Sequence, residues 1–393
     1  MKILMFGWEF PPFSTGGLGT HCYGLTRALK QKGAEVTFVM PKMSKDFKHD
    51  FVKIVHADEG NFIEIASTLV PYVPSFDVKY VPQEGGNWEL YGMDFFHKVN
   101  RYTLLATRAV KNESCDVIHC HDWMTFEAGI RAKEEKKKPL VVTVHSTEYD
   151  RSPLSPNPWI THLEWKGMYE ADRVITVSCY MKKRIMEKYS VPEGKISVVY
   201  NAVDADSYKG GKVSFGLNER VVLFLGRLTI QKGPDYFLRA AKRVLEHEKD
   251  VRFVVVGTGH MLPDLIDMSI QLGISDRVFF TGYQDSISEF YRMADVTVMP
   301  SVSEPFGIVA LEAMASQVPV IVSKQSGVSE VLNHCMKADF WDVDEMANKI
   351  IGILRYGNMK NEMTKNGYAE VSRLNWLKTA DATMGVYSMV GGG

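Results

Sequence analysis

Two cationic side chains lie within one glycine-bounded loop. Arg227 and Lys232 stand between Gly226 and Gly233, after a β-branched run and before an amphipathic stretch. Open parallel sheets bind ligands at the carboxyl ends of their strands, and two cations beside a helix N-terminus suit a diphosphate. The loop therefore predicts a diphosphate-binding site; the alternative is a surface loop with two solvated charges.

Two glutamates flank the start of a predicted helix further along the chain. Glu304 lies at the mouth of this helix, and Glu312 lies one to two turns inside it, on the same face as Ile308. The first carboxylate can contact a sugar while the backbone amides of Gly307, Ile308 and Val309 bind a phosphate. The deeper carboxylate can accept hydrogen bonds from ribose hydroxyls, and its small apolar neighbours predict that it is buried. The alternative is a capping Glu304 and a solvated Glu312.

Three side chains in the first half of the chain follow predicted strands. His145 ends one apolar run, and Asp122 and Trp123 end the run before it. An indole ring beside a carboxylate is a common surface for sugars, because the ring stacks on C–H groups while the carboxylate accepts from hydroxyls. The alternatives are a structural histidine and a buried aromatic ring beside an aspartate that caps a helix.

A glycine-rich turn follows the first predicted strand. Gly16, Gly17 and Gly19 can let backbone N–H groups approach an anion at a helix N-terminus. The segment matches neither the dinucleotide-binding nor the P-loop pattern, and a tight turn explains it equally well.

Metal ligation is not predicted. His119, Cys120 and His121 resemble a ligand cluster, but successive side chains of a strand face opposite sides, so we favour a strand end that delivers one polar residue. The five cysteines form no C-x-x-C pair, which argues against a zinc site and a disulfide framework and favours a reduced, cytoplasmic setting. Asp204 and Asp206 match an Asp-x-Asp pair by letter, but they lie in a predicted linker.

Alternating buried strands and amphipathic helices must position these residues. The strands are predicted at residues 2–6, 36–40, 117–120, 140–145, 174–177 and 196–200, and again at 221–225, 252–256, 278–281, 296–299 and 318–322. Their near-continuous apolar runs are typical of parallel sheets covered by helices on both faces. The β–α–β order predicts an α/β, doubly wound architecture. Helices are predicted over 20–32 and 234–247, and alternating runs at 51–55 and 62–65 predict a hairpin or edge strands.

The strand series occurs twice, on either side of a polar, glycine-bearing segment at 204–219. We therefore predict a first Rossmann-like domain over residues 1–203 and a second over 204–373. Two such domains that face each other would leave a ligand-binding cleft between them.

The composition excludes several classes of protein. Among 393 residues, 46 Lys+Arg and 47 Asp+Glu give a net charge of -1, so the basic excess of a nucleic-acid-binding protein is absent. The apolar runs are too short to cross a bilayer. The N-terminus enters a strand pattern directly and lacks the features of a secretory signal. These features favour a cytoplasmic protein.

In combination, these motifs resemble those of the retaining glycosyltransferases of the GT-B fold, and among them the group 1 enzymes and the glycogen and starch synthases. The matching segments are residues 8–12 with 16–19, then 121–123, 144–145, 201–204, 226–227 with 232–233, and the E-x7-E pair Glu304 and Glu312. The resemblance extends from Met1 to about Trp376. The chain departs from the synthases at residues 14–15, where they usually carry a lysine before the glycine pair.

The resemblance implies a role for each of these residues. Arg227 and Lys232 would hold the diphosphate of a nucleotide-sugar, and Gly17 would support it from the first domain. Glu304 and His145 would contact the donor sugar near its reacting carbon. The other implied contacts are Glu312 for the ribose, Tyr283 near the base, Gly226, Phe306, Gly307, Ile308 and Val309 around the phosphates, and Glu9, Asp122 and Trp123 on the sugar or acceptor side. Residues 374–393 would form a helix that crosses back to the first domain.

The expected function is a retaining, metal-independent transfer of a sugar, glucose in the leading case, from a UDP- or ADP-glucose type donor to a glycan. Preorganised cations and helix amides can stabilise a departing diphosphate without a metal, and no cofactor beyond this co-substrate is expected. One alternative is a lipid or small-molecule acceptor, and a lipid is the case that would bring peripheral membrane contact. The other is a non-catalytic protein that binds a nucleotide-sugar. No nucleic-acid partner is expected.

Overall fold

Parallel strands form the centre of the N-terminal part of the chain. The computed structural model describes residues 1–12, 16–41, 48–57, 89–211, 213 and 219–391, and for 89–94 it describes the backbone alone. Within these ranges the first sheet contains β1 (Lys2–Phe6), β2 (Glu35–Pro41), β3 (Lys53–Ala57), β4 (Val117–His121), β5 (Leu140–Val144), β6 (Arg173–Thr176) and β7 (Ile196–Val198). The strands pair in parallel in the order β3-β2-β1-β4-β5-β6-β7.

Helices cover both faces of this sheet, which is why β4 and β5 are buried at every position. The helices are α1 (Gly17–Gln31), α2 (Glu89–Ala109), α3 (Trp123–Lys136), α4 (Glu148–Arg151), α5 (Pro158–Glu170) and α6 (Cys179–Tyr189). Helix α1 begins at Gly17 rather than Thr20, and it is followed by Gly33, whose φ of +81° suits a residue without a Cβ.

The second sheet has the same construction. Its strands are β8 (Arg220–Leu225), β9 (Val251–Val256), β10 (Val278–Gly282), β11 (Val296–Met299), β12 (Val320–Ser323) and β13 (Met336–Ala338), paired in parallel in the order β10-β9-β8-β11-β12-β13. Its helices are α7 (Pro234–His247), α8 (Leu262–Gln271), α9 (Ser288–Met293), α10 (Ile308–Ala315), α11 (Val343–Arg355) and α12 (Gly357–Val371). The predicted pair of doubly wound sheets is confirmed.

The strand order reverses once in each sheet. In the first sheet β1 lies between β2 and β4, and in the second β8 lies between β9 and β11. At such a reversal the connections leave the sheet on opposite faces, so a crevice opens at the carboxyl ends of the two strands. The loops after β1 and β4, and after β8 and β11, are therefore the positions at which the topology of each sheet favours a ligand.

The last helix, α13 (Trp376–Val390), belongs to the N-terminal compact unit. This unit contains Met1–Asn201 and the segment that begins at Trp376, whereas the other unit contains Ala202–Asn375. Tyr387 of α13 is buried in the same apolar core as Leu25 of α1. The two helices approach so closely that a Cβ on Gly24 would lie 2.2 Å from the indole of Trp376.

A few elements differ from the predictions. Strand β12 starts at Val320, because Val318 still closes the end of α10 by donating to the carbonyl of Ala313. Strand β13 was not predicted, since three residues with a central lysine carry little periodic signal. The run at 51–55 supplies edge strand β3, and its expected companion at 62–65 lies outside the described residues. In the described part of the chain, no helix has the length and apolarity that crossing a membrane requires.

Candidate functional site

The loop after β8 is fixed by the last residue of β9 and the segment that follows it. The amide of Gly226 donates to the carbonyl of Val256 at 3.0 Å, and the amide of Leu228 donates to Thr258 at 2.9 Å. Leu228 is fully buried, whereas Arg227 and Lys232 on either side of it are half-buried. The backbone therefore holds the two predicted cations at the carboxyl edge of the second sheet, beside its strand reversal.

Two glycines make this close approach of backbones possible. A Cβ on Gly257 would lie 2.0 Å from the carbonyl oxygen of Gly226, and a Cβ on Gly259 would lie 2.2 Å from that of Leu228. Gly257 also has a φ of +135°. Because the obstructing atoms belong to the backbone, a side-chain rotation cannot relieve the clash, and the cationic loop itself would have to move.

We expect Gly257→Ala to displace this loop. The substitution should therefore lower the rate of sugar transfer even under conditions in which the variant remains folded. The strained φ and the backbone clash should cost about 2–4 kcal/mol of unfolding free energy, and transfer activity should fall at least tenfold. The matched control is Gly273→Ala. Gly273 also has a positive φ, +65°, but a Cβ there meets nothing within 4 Å. Equal losses of activity in the two variants, measured beside urea unfolding, would contradict this account of Gly257.

Lys232 and Glu304 form an ion pair at this edge. The Lys232 Nζ lies 2.6 Å from Oε2 of Glu304, and the same oxygen accepts a hydrogen bond from Ser301 at 3.1 Å. The backbone of Glu304 is fixed as well, because its amide donates to Gln325 and its carbonyl accepts from Gly327. The loops after β8, β11 and β12 therefore converge on one residue, Glu304, which is 6 % exposed.

Glycine occupies the start of helix α10. Gly307 is the N-cap, with a φ of +110°, and within the described part of the chain no side chain caps the first turn. The alternative in which Glu304 caps this helix is therefore wrong. The amides at the start of α10, including those of Ile308 and Val309, lie beside the loop that carries Glu304, while Phe306 is buried beneath it. Uncapped amides at a helix N-terminus favour an anion.

Glu312 is buried inside α10, which excludes the alternative of a solvated helix residue. Its Oε1 accepts from the hydroxyl of Tyr208 at 2.9 Å, and its Oε2 accepts from the hydroxyl of Tyr291 at 2.8 Å. Burial raises the pKa of Glu312, and the two phenol donors oppose the rise. A ribose bound at this position would therefore donate its hydroxyls to the carboxylate of Glu312 either beside the two tyrosine hydroxyls or in place of them. Tyr283 follows β10 at the same edge of the sheet and is 57 % exposed.

In the N-terminal unit, Asp122 and His145 are joined across neighbouring strands. Asp122 has the unusual φ of +61°, and its Oδ1 accepts from the backbone amide of His145 at 2.6 Å. Its own amide donates to Thr143 of β5. Asp122 occupies the N-cap position of α3, but its side chain makes no capping hydrogen bond. The carboxylate instead fixes the chain at the end of β5, so that His145 is held at the carboxyl edge.

The expected sugar-stacking role of Trp123 is wrong. The ring is 3 % exposed and makes edge and tilted contacts with Phe95 and Phe96 of α2. At the first position of α3 it turns inward, because the aromatic residues of α2 cover this end of the sheet. Glu9, after β1, is also buried, and Gly17 is exposed as the first residue of α1.

Four histidines cluster at this edge, where His145 and one polar residue from the end of β4 had been expected. His119 and His121 of β4 share a face, and Cys120 points to the other face, where a Cβ on Gly129 would lie 2.2 Å from its sulfur. The His121 Nδ1 lies 3.0 Å from the His145 Nε2, and the ring of His21 lies 4.5 Å from that of His145. Burial lowers the pKa of His21 to about 4 and that of His119 to about 3, and it lowers those of His121 and His145 well below the ordinary value.

A buried ionic network supports the segment after His145. Arg151 is 1 % exposed; its guanidinium lies 3.2 Å from Glu148 and 2.7 Å from Glu164, and it donates to the carbonyl of Ser146 at 3.1 Å. Tyr189 also donates to Glu164. The network fixes the loop that leaves His145.

The sequence predictions missed the residues that complete these groups. They are His21, Arg151, Glu164, Tyr208 and Tyr291. His21 was detectable, because it follows Gly17 by one helical turn in an otherwise apolar helix face. The two tyrosines carried no local signal, since they reach Glu312 from distant parts of the chain.

Two family models match the chain. The model described as glycosyl transferases group 1 matches residues 211–370, and the model described as glycosyltransferase family 4 matches residues 15–207. An uncharacterized glycosyltransferase of Methanocaldococcus jannaschii is 32 % identical over 410 aligned positions, which cover 99 % of this chain and 98 % of the relative. A glycogen synthase of Mycobacterium tuberculosis is 27 % identical and covers 84 % of this chain and 80 % of its own length. A D-inositol 3-phosphate glycosyltransferase of Catenulispora acidiphila is 30 % identical, with 70 % of each chain covered.

Solved structures share the fold over the whole length. A sucrose-phosphate synthase from Thermosynechococcus elongatus superimposes with a TM-score of 0.79 at 19 % identity and covers 99 % of this chain and 98 % of its own. HepE of Anabaena, in complex with UDP-glucose, superimposes with a TM-score of 0.70 at 17 % identity. The match covers 99 % of this chain and 100 % of HepE. The catalytic domain of starch synthase IV from Arabidopsis thaliana, bound to ADP and acarbose, superimposes with a TM-score of 0.73 at 16 % identity. The match covers 100 % of this chain and 99 % of that domain. These likenesses confirm the predicted GT-B fold, and the matching family models and relatives show that the chain belongs to the group 1 glycosyltransferases.

Proposed function

We propose that this glycosyltransferase moves glucose from a UDP- or ADP-glucose type donor to a hydroxyl of a glycan, with retention of configuration and without a metal ion. The observation that carries the proposal is the pair formed by Lys232 and Glu304 at the strand reversal of the second sheet. The ammonium group of Lys232 suits the phosphates of a donor, and the carboxylate of Glu304 suits the hydroxyls of its sugar.

The main chemical task is to accept the charge that develops on the departing diphosphate. Arg227 and Lys232 are held by a rigid loop, and the amides at the start of α10 have no side-chain cap. Fixed donors of this kind cost little reorganisation as the charge grows, and they can replace a metal ion. This assignment keeps Gly226, Phe306, Gly307, Ile308 and Val309 around the phosphates, with Glu312 and Tyr283 towards the nucleoside.

The N-terminal unit is assigned the polar groups for the sugar and the acceptor. His145 is half-buried at the carboxyl edge of its sheet, and Asp122 fixes its backbone. Because His145 is held neutral by burial, it can accept or donate one hydrogen bond without carrying a charge. Glu9 and Gly17 stay in the proposal as neighbours of the substrates, whereas Trp123 is withdrawn from direct contact. A cytoplasmic location also remains part of the proposal, because the cytoplasm supplies nucleotide-sugars.

The relatives favour two kinds of acceptor. The similarity to a glycogen synthase supports a glycan, and the similarity to a D-inositol 3-phosphate glycosyltransferase supports a small polyol phosphate as the second candidate. Structures of similar fold contain UDP-glucose or ADP, which supports a glucose donor with either base.

A screen of donors and acceptors tests the proposal directly. The purified full chain is incubated with UDP-, ADP- and GDP-sugars, and each donor is paired with an α-glucan or with inositol phosphate. We expect release of one nucleoside diphosphate together with a glycosylated product whose anomeric configuration matches the donor, in the presence or absence of EDTA. Binding of a donor without product under every pairing would instead favour the non-catalytic alternative, and loss of activity with EDTA would contradict metal independence.

A further inference from the structure

Three histidines from three separate elements place ring nitrogens close together in the N-terminal unit. His21 comes from α1, His121 from the end of β4 and His145 from the residue after β5. One ring nitrogen of each lies within 4.8 Å of one ring nitrogen of both others. The fourth histidine of the cluster is different, because both nitrogens of His119 already have partners, the hydroxyls of Tyr387 and Thr143.

Two of these three rings have a buried nitrogen that finds no hydrogen-bond partner among the residues that the structure describes. They are the Nε2 atoms of His21 and His121, and the two side chains are 2 % and 0 % exposed. Burying a polar atom without a partner is unfavourable, so two such atoms in one cluster need an explanation. A ligand that accepts both lone pairs would provide one.

The partner of His21 fixes the tautomer that a metal requires. His21 Nδ1 lies 2.7 Å from the amide oxygen of Asn201, an acceptor, so the ring proton is on Nδ1 and the lone pair is on Nε2. Histidines that bind metals usually donate their other N–H to a carboxylate or carbonyl oxygen in this way, which orients the ring and increases its basicity.

We propose that His21, His121 and His145 form a binding site for a divalent transition metal of the zinc class. Three imidazoles and one open position are a common coordination set for Zn²⁺. Zn–N bonds of about 2.0–2.1 Å require nitrogens about 3.3 Å apart, so the rings must close by roughly 1 Å. The half-buried His145 can supply most of this movement, and the ion then replaces its hydrogen bond with His121.

Metal binding at this site would inhibit sugar transfer, and this consequence rests on the proposed function. His145 cannot bind the ion and serve the donor sugar with the same ring. The ion is therefore a reversible inhibitor of an enzyme that needs no metal for its reaction. Binding itself does not depend on the function and can be measured separately.

The test begins with the full-length protein after removal of metals with a chelator. Titration with ZnCl₂ against a chromophoric competitor should give one site per chain, and Co²⁺ alone should produce the visible absorption of a tetrahedral complex. His21→Gln should weaken Zn²⁺ binding by about a hundredfold. Asn201→Ala, which removes the partner of His21, should weaken it by about 10–100-fold. The matched control is His247→Gln, at the exposed end of α7, which should bind as the natural chain does.

The outcomes separate the metal site from the proposed function. Circular dichroism verifies that each variant is folded. Equal Zn²⁺ affinity in His21→Gln and in the natural chain, or no stoichiometric binding to the natural chain, would overturn the site. Stoichiometric binding together with inhibition that EDTA reverses supports both the site and the role of His145. Binding without inhibition supports the site and contradicts the catalytic role assigned to His145.

Discussion

Replacing Lys232 by alanine should lower the rate of sugar transfer by about two to three orders of magnitude, which is the loss typical of a preorganised group that stabilises transition-state charge. The Nζ of Lys232 lies 2.6 Å from Glu304, and Lys232 belongs to a loop that is held by backbone hydrogen bonds. Because the charge on the diphosphate grows as the sugar leaves, the variant should lose kcat more than affinity for the free nucleoside diphosphate.

Two further variants separate the charge of Lys232 from its structural contact. Glu304→Gln keeps the side-chain volume and frees Lys232 from its ion pair, so diphosphate binding should be kept or strengthened while transfer falls. Lys242→Ala removes a half-buried lysine from α7, away from the loop, and should leave the kinetics unchanged. Near-normal turnover in a folded Lys232→Ala protein would reject the proposed stabilisation of the leaving group.

Replacing Arg151 by methionine should destabilise the protein by about 3–5 kcal/mol, which is the usual cost of removing one partner from a buried ionic network. Glu148 and Glu164 are both buried and would lose the guanidinium that lies 3.2 Å and 2.7 Å from them. The segment after His145 would lose its anchor as well, because Arg151 also donates to the carbonyl of Ser146. Urea unfolding followed by tryptophan fluorescence measures the loss.

The destabilisation should increase with pH. Burial raises the pKa of Glu164 to about 7, although Arg151 opposes the rise. Without Arg151 the folded pKa rises further above the unfolded value near 4.5, so the folded variant binds protons more tightly than the unfolded chain. The unfolding free energy of the variant therefore falls from about pH 4.5 upward. The natural chain falls in parallel until its own folded pKa of about 7, so the deficit of the variant relative to the natural chain grows only above about pH 7. A deficit that stays constant between about pH 7 and pH 9 would contradict this explanation.

Two control variants distinguish the buried network from ordinary ion pairs. Adding Glu164→Gln to Arg151→Met removes one uncompensated carboxylate and should restore part of the lost stability. Lys32→Met breaks the exposed pair between Lys32 and Asp381, whose side chains are 34 % and 57 % exposed, and should change stability by less than about 1 kcal/mol.

The apolar runs of the sequence determined the two sheets. A strand covered on both faces is buried along its whole length and is mostly apolar, and β4, β5, β11 and β12 are buried at every position. The two histidines of β4 are the main exceptions to the apolar pattern. Strand β13 was missed because its short, mixed run lacks this signal. The same pattern indicated where strands end, so Lys232, Glu304 and His145 were expected at carboxyl edges, and the structure has them there.

For Trp123, local sequence determined the position in the chain but not the orientation of the side chain. The sequence predicted that Trp123 follows β4, and in the structure it is the first residue of α3. No local sequence pattern indicates the direction in which the first side chain of a helix points. The direction was decided by α2, whose phenylalanines cover that end of the sheet. Asp122 was also expected near a sugar or at a helix cap, and its oxygen instead fixes the backbone of His145.

Local patterning of the sequence therefore determined the architecture, the strand edges and most residues at them, because burial imposes a periodicity that neighbouring residues share. Only the tertiary structure decided which side chains pair with one another at each site. Tyr208 and Tyr291 meet Glu312, Arg151 meets Glu164, and the three histidines meet through crossovers that bring distant segments together. The charge and hydrogen bonding of each site depend on those pairings, and the spacing of residues along the chain does not encode them.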